Sequence, residues 1–248
     1  MKNRDEILKG IAERLQPMDE ARAMWECGSV AFHRIDEWSD VDIVIEGQEG
    51  TSSVIFQAIE DALALIAPIE SALGPSGGWP GVLQKVYRLE GMSPYHVIEV
   101  AIVAPDAPTK FLEREIHGDI PVHFDKDGIT TVPPIEARDW EKKLQARASE
   151  VVKKVDLYRI LVEKELHRGN HMEAMAFYQG FIQKALVEMI RIRYSPFRYN
   201  FQSRYLYYDL PQGVIDRLEP FFFIGSPEGL ERKFMEALEW IQDLEDNN

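Results

Sequence analysis

Gly28-Ser29-Val30-Ala31-Phe32-His33-Arg34-Ile35-Asp36-Glu37-Trp38-Ser39-Asp40-Val41-Asp42 joins a glycine–serine pair to a Ser-Asp-x-Asp segment. The segment runs into Val41-Asp42-Ile43-Val44-Ile45, rich in β-branched residues, which predicts a strand. Upstream, residues 21–26 predict another strand that enters Cys27-Gly28-Ser29. Asp40 and Asp42 are two residues apart, so a strand points both carboxylates to one face. At ~4 Å and an effective dielectric of ~20, such a pair repels by roughly 4 kcal/mol. A strand start that accepts this repulsion needs a compensating cation. Carboxylate oxygens suit Mg²⁺, which also takes water and substrate phosphates as ligands. Gly28 lets a bound group approach the backbone closely. The Ser29 hydroxyl and neighbouring N–H groups can hold a phosphate. A phosphate grip and a metal grip are thus joined by one short excursion of chain.

A third carboxylate lies further on. Residues 95–103 form a strand-like run, apolar except for His96 and Glu99. A glutamate in such a strand is costly unless paired or ligated. If this strand neighbours 41–45, Glu99 completes a three-carboxylate cluster for one or two metals and in-line phosphoryl displacement. Around these strands, residues 4–15 predict an amphipathic helix, with Ile7, Leu8, Ile11 and Leu15 on one face. Residues 52–67 also predict a helix, 74–81 a loop around Trp79, 82–90 and 120–124 strands, and 108–116 a short helix.

Val132-Pro133-Pro134 is the sharpest break. We expect a small mixed-sheet domain over 1–132 and an all-helical bundle over 133–248, an α+β protein. A long helix fits roughly 139–168, with Gly169 at its end. Asn170 and Glu173 have capping-box spacing, opening a helix that runs to about Tyr194. Further helices fit 211–219 and 227–245.

Composition narrows the function classes. The 248 residues carry a net charge of −14, which opposes general nucleic-acid binding. Residues 1–134 hold 11 Lys and Arg against 23 Asp and Glu. An acidic first half attracts metal ions or a cationic substrate, although it also serves solubility. No apolar run is long enough for a transmembrane helix, and no signal-peptide core follows Met1. One cysteine, Cys27, cannot form an internal disulfide, so we expect a reduced cytoplasmic home.

Gly28-Ser29, Ser39-Asp40-Val41-Asp42 and Ile98-Glu99-Val100 together resemble the nucleotidyltransferase superfamily, whose fold is named for DNA polymerase beta. The resemblance covers roughly residues 20–130. The helical second half makes the chain look most like the aminoglycoside and related antibiotic nucleotidyltransferases. The resemblance implies that Asp40 and Asp42 bind Mg²⁺ carrying ATP or another nucleoside triphosphate. Ser29 would contact its terminal phosphates beside Gly28, and Ser39 would support the site. Glu99 would bind a second metal or act as general base. The implied reaction moves a nucleoside monophosphate to a small-molecule hydroxyl, an aminoglycoside-like acceptor among the options, and releases pyrophosphate. Arg198, ahead of Leu210-Pro211, matches a basic residue that the family aims at the triphosphate. Where the family often has glycine after Gly-Ser, this chain has Phe32-His33.

Other readings stay open. Arg191, Arg193 and Arg198 also suit a helix C-terminal dipole and local acids. Ser29 also suits a helix cap, and Glu99 a structural ion pair. A nucleotide-binding module without turnover, or nucleotidyl transfer to a protein, uses the same residues.

Overall fold

Helix α1 (Arg4–Leu15) buries Ile7, Leu8, Ile11 and Leu15, the face that their spacing predicts. After it come β1 (Ala21–Glu26), β2 (Val41–Gly47) and α2 (Ser52–Ile66). Then follow β3 (Ile69–Ser76), β4 (Val82–Leu89), β5 (Ile98–Val103), the short α3 (Arg114–His117) and β6 (Val122–Asp125). The computed structural model describes residues 4–246. The strands form one sheet in the order β3-β4-β5-β2-β1-β6. Only the central β2–β5 pair is parallel, so the sheet is mixed.

The two faces of the sheet differ. Ile43, Ile45, Ile98, Val100 and Ile102 pack with the apolar stripes of α1 and α2 in the larger core. The opposite face carries a smaller cluster, built on Ala23, Trp25, Val44, Val82 and Val103. Period-two alternation places Asp42 and Glu99 on this second face, beyond the edge of its small core.

Three expectations are corrected. Residues 74–76 are not loop but the end of β3, which is exposed along almost its whole length. An edge strand open on both faces has no apolar alternation to read, and it tolerates Pro75. The helix expected over 108–116 shrinks to Arg114–His117, because Phe111 takes a left-handed backbone (φ 60°). Asn170 caps nothing with its side chain; its Nδ2 donates to Glu165 at 2.7 Å.

Compact units span Met1–Ile135 and Glu136–Asn248. Among the described residues, the second holds helices and no strand. Helix α4 (Ala137–Arg168) buries Leu144, Ala148, Val151, Val155 and Val162 and ends at Gly169, whose φ of 74° suits glycine. Next come α5 (His171–Phe177), a π-helical turn over Tyr178–Gln183, and α6 (Lys184–Tyr194). Helices α7 (Leu206–Asp209), α8 (Gln212–Leu218) and α9 (Pro227–Asp246) complete the unit. Its core centres on Tyr178, Ile182, Leu186, Ile190, Phe234 and Ile241. Among the described residues, no helix is long and apolar enough to cross a membrane.

Candidate active site

Gly28 opens a 3₁₀ turn, Gly28–Phe32, directly after β1. Its φ is 72°, in the left-handed region. A Cβ at this position would stand 2.0 Å from Asp42 Oδ2, inside any van der Waals contact. The Asp42 carboxylate therefore lies against the bare α-carbon of Gly28, and Ser29 follows at once. The turn closes through His33, also left-handed at φ 55°, whose N–H donates to Val30 O at 3.0 Å. Histidine here fills a backbone role that glycine adopts freely. From outside, Asp119 N–H donates to Ala31 O at 2.7 Å and braces the turn.

The two central strands bring the acids together. In the parallel β2–β5 register, Asp42 is the Cα partner of Glu99. Strand spacing of ~4.8 Å puts both carboxylates on one face, side by side. Gln84 on β4 donates to Glu99 Oε2 at 3.0 Å and fixes that side chain.

Asp40 stands just before β2 and is held differently. Its Oδ1 accepts the Val97 N–H at 2.8 Å, while Val41 N–H donates to Val97 O at 3.1 Å. Arg4 donates to the Asp40 carbonyl at 2.7 Å and also pairs with Glu26. Ser39 Oγ donates to Asp36 Oδ1 at 2.8 Å and accepts the Asp36 N–H at 3.0 Å. Ser39 thus closes the loop that delivers Asp40. The same loop is clasped to the residues just ahead of β5: Trp38 meets Tyr95 edge-on at 4.8 Å, and His96 Nε2 lies 2.6 Å from Glu37 O.

The donors are hard oxygens, which fit Mg²⁺ chemically. Among the described residues, no three His, Cys, Asp or Glu side chains converge closely enough to hold one ion. Asp42 and Glu99 are brought together, and Asp40 gives one oxygen to a backbone amide.

Arg198 belongs to the helical unit. Its Nη2 and Nε reach Asp209 at 2.9 and 3.1 Å, and the wholly buried Arg191 reaches Asp209 at 3.1 Å. Arg191 also donates to the Gln202 carbonyl at 2.7 Å. Sequence reading did not single out Arg4, Asp36, Gln84 or Asp209. Each acts through a partner that periodicity cannot name.

No protein-family model and no curated protein matches the chain. Among solved structures, the chain is similar to an aminoglycoside 6-adenyltransferase from Bacillus subtilis. That match has 11% identity and a TM-score of 0.41, covering 99% of this chain and 88% of that one. It is also similar to a spectinomycin adenyltransferase from Enterococcus faecialis, solved with ATP and spectinomycin. There the identity is 9% and the TM-score 0.39, with 98% of each chain covered.

Proposed function

We propose that the chain is a nucleotidyltransferase that moves a nucleoside monophosphate, AMP from ATP in the leading case, to a hydroxyl of a small molecule. One observation carries this reading: the Asp42 carboxylate is seated against Gly28, one strand away from its register partner Glu99. That places an acidic pair beside a turn whose glycine and serine suit a phosphate. Asp40 and Asp42 would hold Mg²⁺, with Glu99 available to a second ion. The metal would neutralise triphosphate charge as it shifts onto the leaving group. Gly28 and Ser29 would bind the phosphates, and Ser39 would fix the loop that presents Asp40. In the transfer, the acceptor oxygen bonds to the α-phosphorus and the α–β bridging bond breaks. Pyrophosphate leaves, and Glu99, where it is not ligating a second ion, takes the hydroxyl proton as general base. A cationic acceptor suits a first unit as acidic as this one.

The test is calorimetric titration of ATP with and without Mg²⁺, on wild type and Asp42→Ala. We expect Mg²⁺-dependent binding that vanishes in the variant. Undiminished Mg²⁺-dependent binding by Asp42→Ala would sink the assignment. A pyrophosphate-release screen across hydroxylated acceptors then identifies the substrate. A second reading, nucleotide binding without turnover, draws support from the Asp40–Val97 hydrogen bond, which takes one oxygen from the acidic group. Mg²⁺–ATP binding with no pyrophosphate release for any acceptor favours it.

A further inference from the structure

A cavity of about 560 Å³ opens in the helical unit, lined by α4, the π-helical turn, α6 and residues 199–202. Small-molecule sites occupy ~300–1,000 Å³. Tyr158 of α4 and Phe181 of the π-turn stack here, with centroids 4.8 Å apart and planes within 15°. Both rings stay well exposed, 41% and 38%. They form an aromatic platform with apolar surface left to water.

The wall beside this platform is kept open. Gly180 lies within the π-turn, and a Cβ there would meet nothing within 4 Å. Glycine inside a helix costs about 1 kcal/mol relative to alanine. No neighbouring atom demands glycine, and its φ is not left-handed. Its structural effect is to leave room in the cavity. Single π-turns inserted in α-helices occur frequently at functional sites, which fits this placement.

The charge of the lining is opposite to that of the chain. Arg147, Lys154 and Lys184 face one carboxylate, Glu188, in a protein of net charge −14. Arg147 is committed to Glu188 through bonds of 2.5 and 3.0 Å, and Lys154 pairs with Glu150 at 2.7 Å. Among the described residues, Lys184 has no carboxylate within ion-pairing distance. Burial holds the Tyr199 phenol above its ordinary pKa, so it is a neutral donor at physiological pH.

We infer that this cavity binds an aromatic or heteroaromatic anion, its ring laid on the Tyr158–Phe181 pair and its acidic group met by Lys184. The inference stands independently of the proposed transfer reaction, since every residue in it belongs to the helical unit.

The probe is 8-anilino-1-naphthalenesulfonate, titrated by fluorescence into the full chain. N-phenyl-1-naphthylamine, similar in shape but uncharged, is the control. We expect saturable one-to-one binding of the sulfonate. Lys184→Glu should weaken it at least about tenfold, as for loss of a charge-assisted contact. The neutral analogue should bind the wild type more weakly by a similar factor. Gly180→Trp should fill the cavity and abolish binding, with circular dichroism confirming an intact helix content. Because Lys184 is exposed, Lys184→Glu tests the idea even if Gly180→Trp misfolds. Displacement of the dye by 1-naphthoate marks an organic acid as the natural class, and displacement by AMP marks a nucleotide. Unchanged affinity in Lys184→Glu, equal binding of the neutral analogue, or displacement by neither competitor overturns the inference.

Discussion

Two residues sit where truncation or a single added methyl has a direct physical cost. At Gly28 a methyl group meets the Asp42 carboxylate at 2.0 Å on a backbone of φ 72°. Gly28→Ala must therefore shift either the turn or the acid. We expect it to cost about 1–3 kcal/mol of stability by urea titration. It should also cut the proposed nucleotidyl transfer by about a hundredfold, the scale of a displacement near 1 Å at a reacting centre. Wild-type turnover in Gly28→Ala would show that the Asp42 position is not critical. At Asp209 the problem is charge. Its carboxylate and the Arg191 guanidinium are both fully buried and joined at 3.1 Å. Asp209→Ala strands the Arg191 cation among the backbone carbonyls it also binds. A loss of about 3–5 kcal/mol in unfolding free energy is expected. A loss below about 1 kcal/mol would mean that the carbonyls alone neutralise Arg191.

Elements differ in how far their own sequences announce them. That Asp42 and Glu99 are each an acid in a β-branched run was legible, but that the two runs pair was only a condition, and the β2–β5 register supplies it. Helices α1 and α4 were legible through the 3–4 residue spacing of their buried positions. Strand β3 was not, since its exposed residues alternate with nothing. Nor was the π-turn, which keeps the apolar content of a helix and changes only its winding. The Asp40–Val97 and Arg198–Asp209 bonds depend on fold geometry that no local pattern encodes. The end of β6 makes a prediction of its own. Asp125 accepts the N–H groups of Asp127, Ile129 and Thr130 and the Thr130 hydroxyl. Partial burial works against its charge, but these bonds outweigh burial and hold the carboxyl below its ordinary pKa. A depressed folded pKa gives stability that is complete above the unfolded value, near pH 4, and fades as pH falls through the folded value. Asp125→Ala should cost about 2 kcal/mol at pH 7. The gap from wild type should narrow below about pH 4, measured by thermal unfolding across pH. A gap that stays constant to pH 2 would refute the ionic origin.

At the scale of the molecule, the apolar side chains form separate cores. The two clusters of the sheet unit and the one of the helical unit share no residue. Each unit therefore has its own hydrophobic driving force, and the chain between them has little. Residues 131–134 are exposed and lie outside any helix or strand, and exposed Glu136 precedes α4. Exposed backbone with no ladder to break is where proteases cut first. Paired prolines shield residues 133 and 134 from many enzymes, so a glutamate-specific protease is the informative choice. Brief digestion of the native chain should cleave after Glu136 well before the acids inside α4 or α9. It should yield one fragment ending at 136 and one beginning at 137. Helical circular dichroism of the isolated second fragment should persist, because its core includes no residue of the first unit. Early cleavage inside α4 would contradict this, since it would mean that the long helix opens before the connection does. Loss of all helicity in the fragment would place its stability outside its own core.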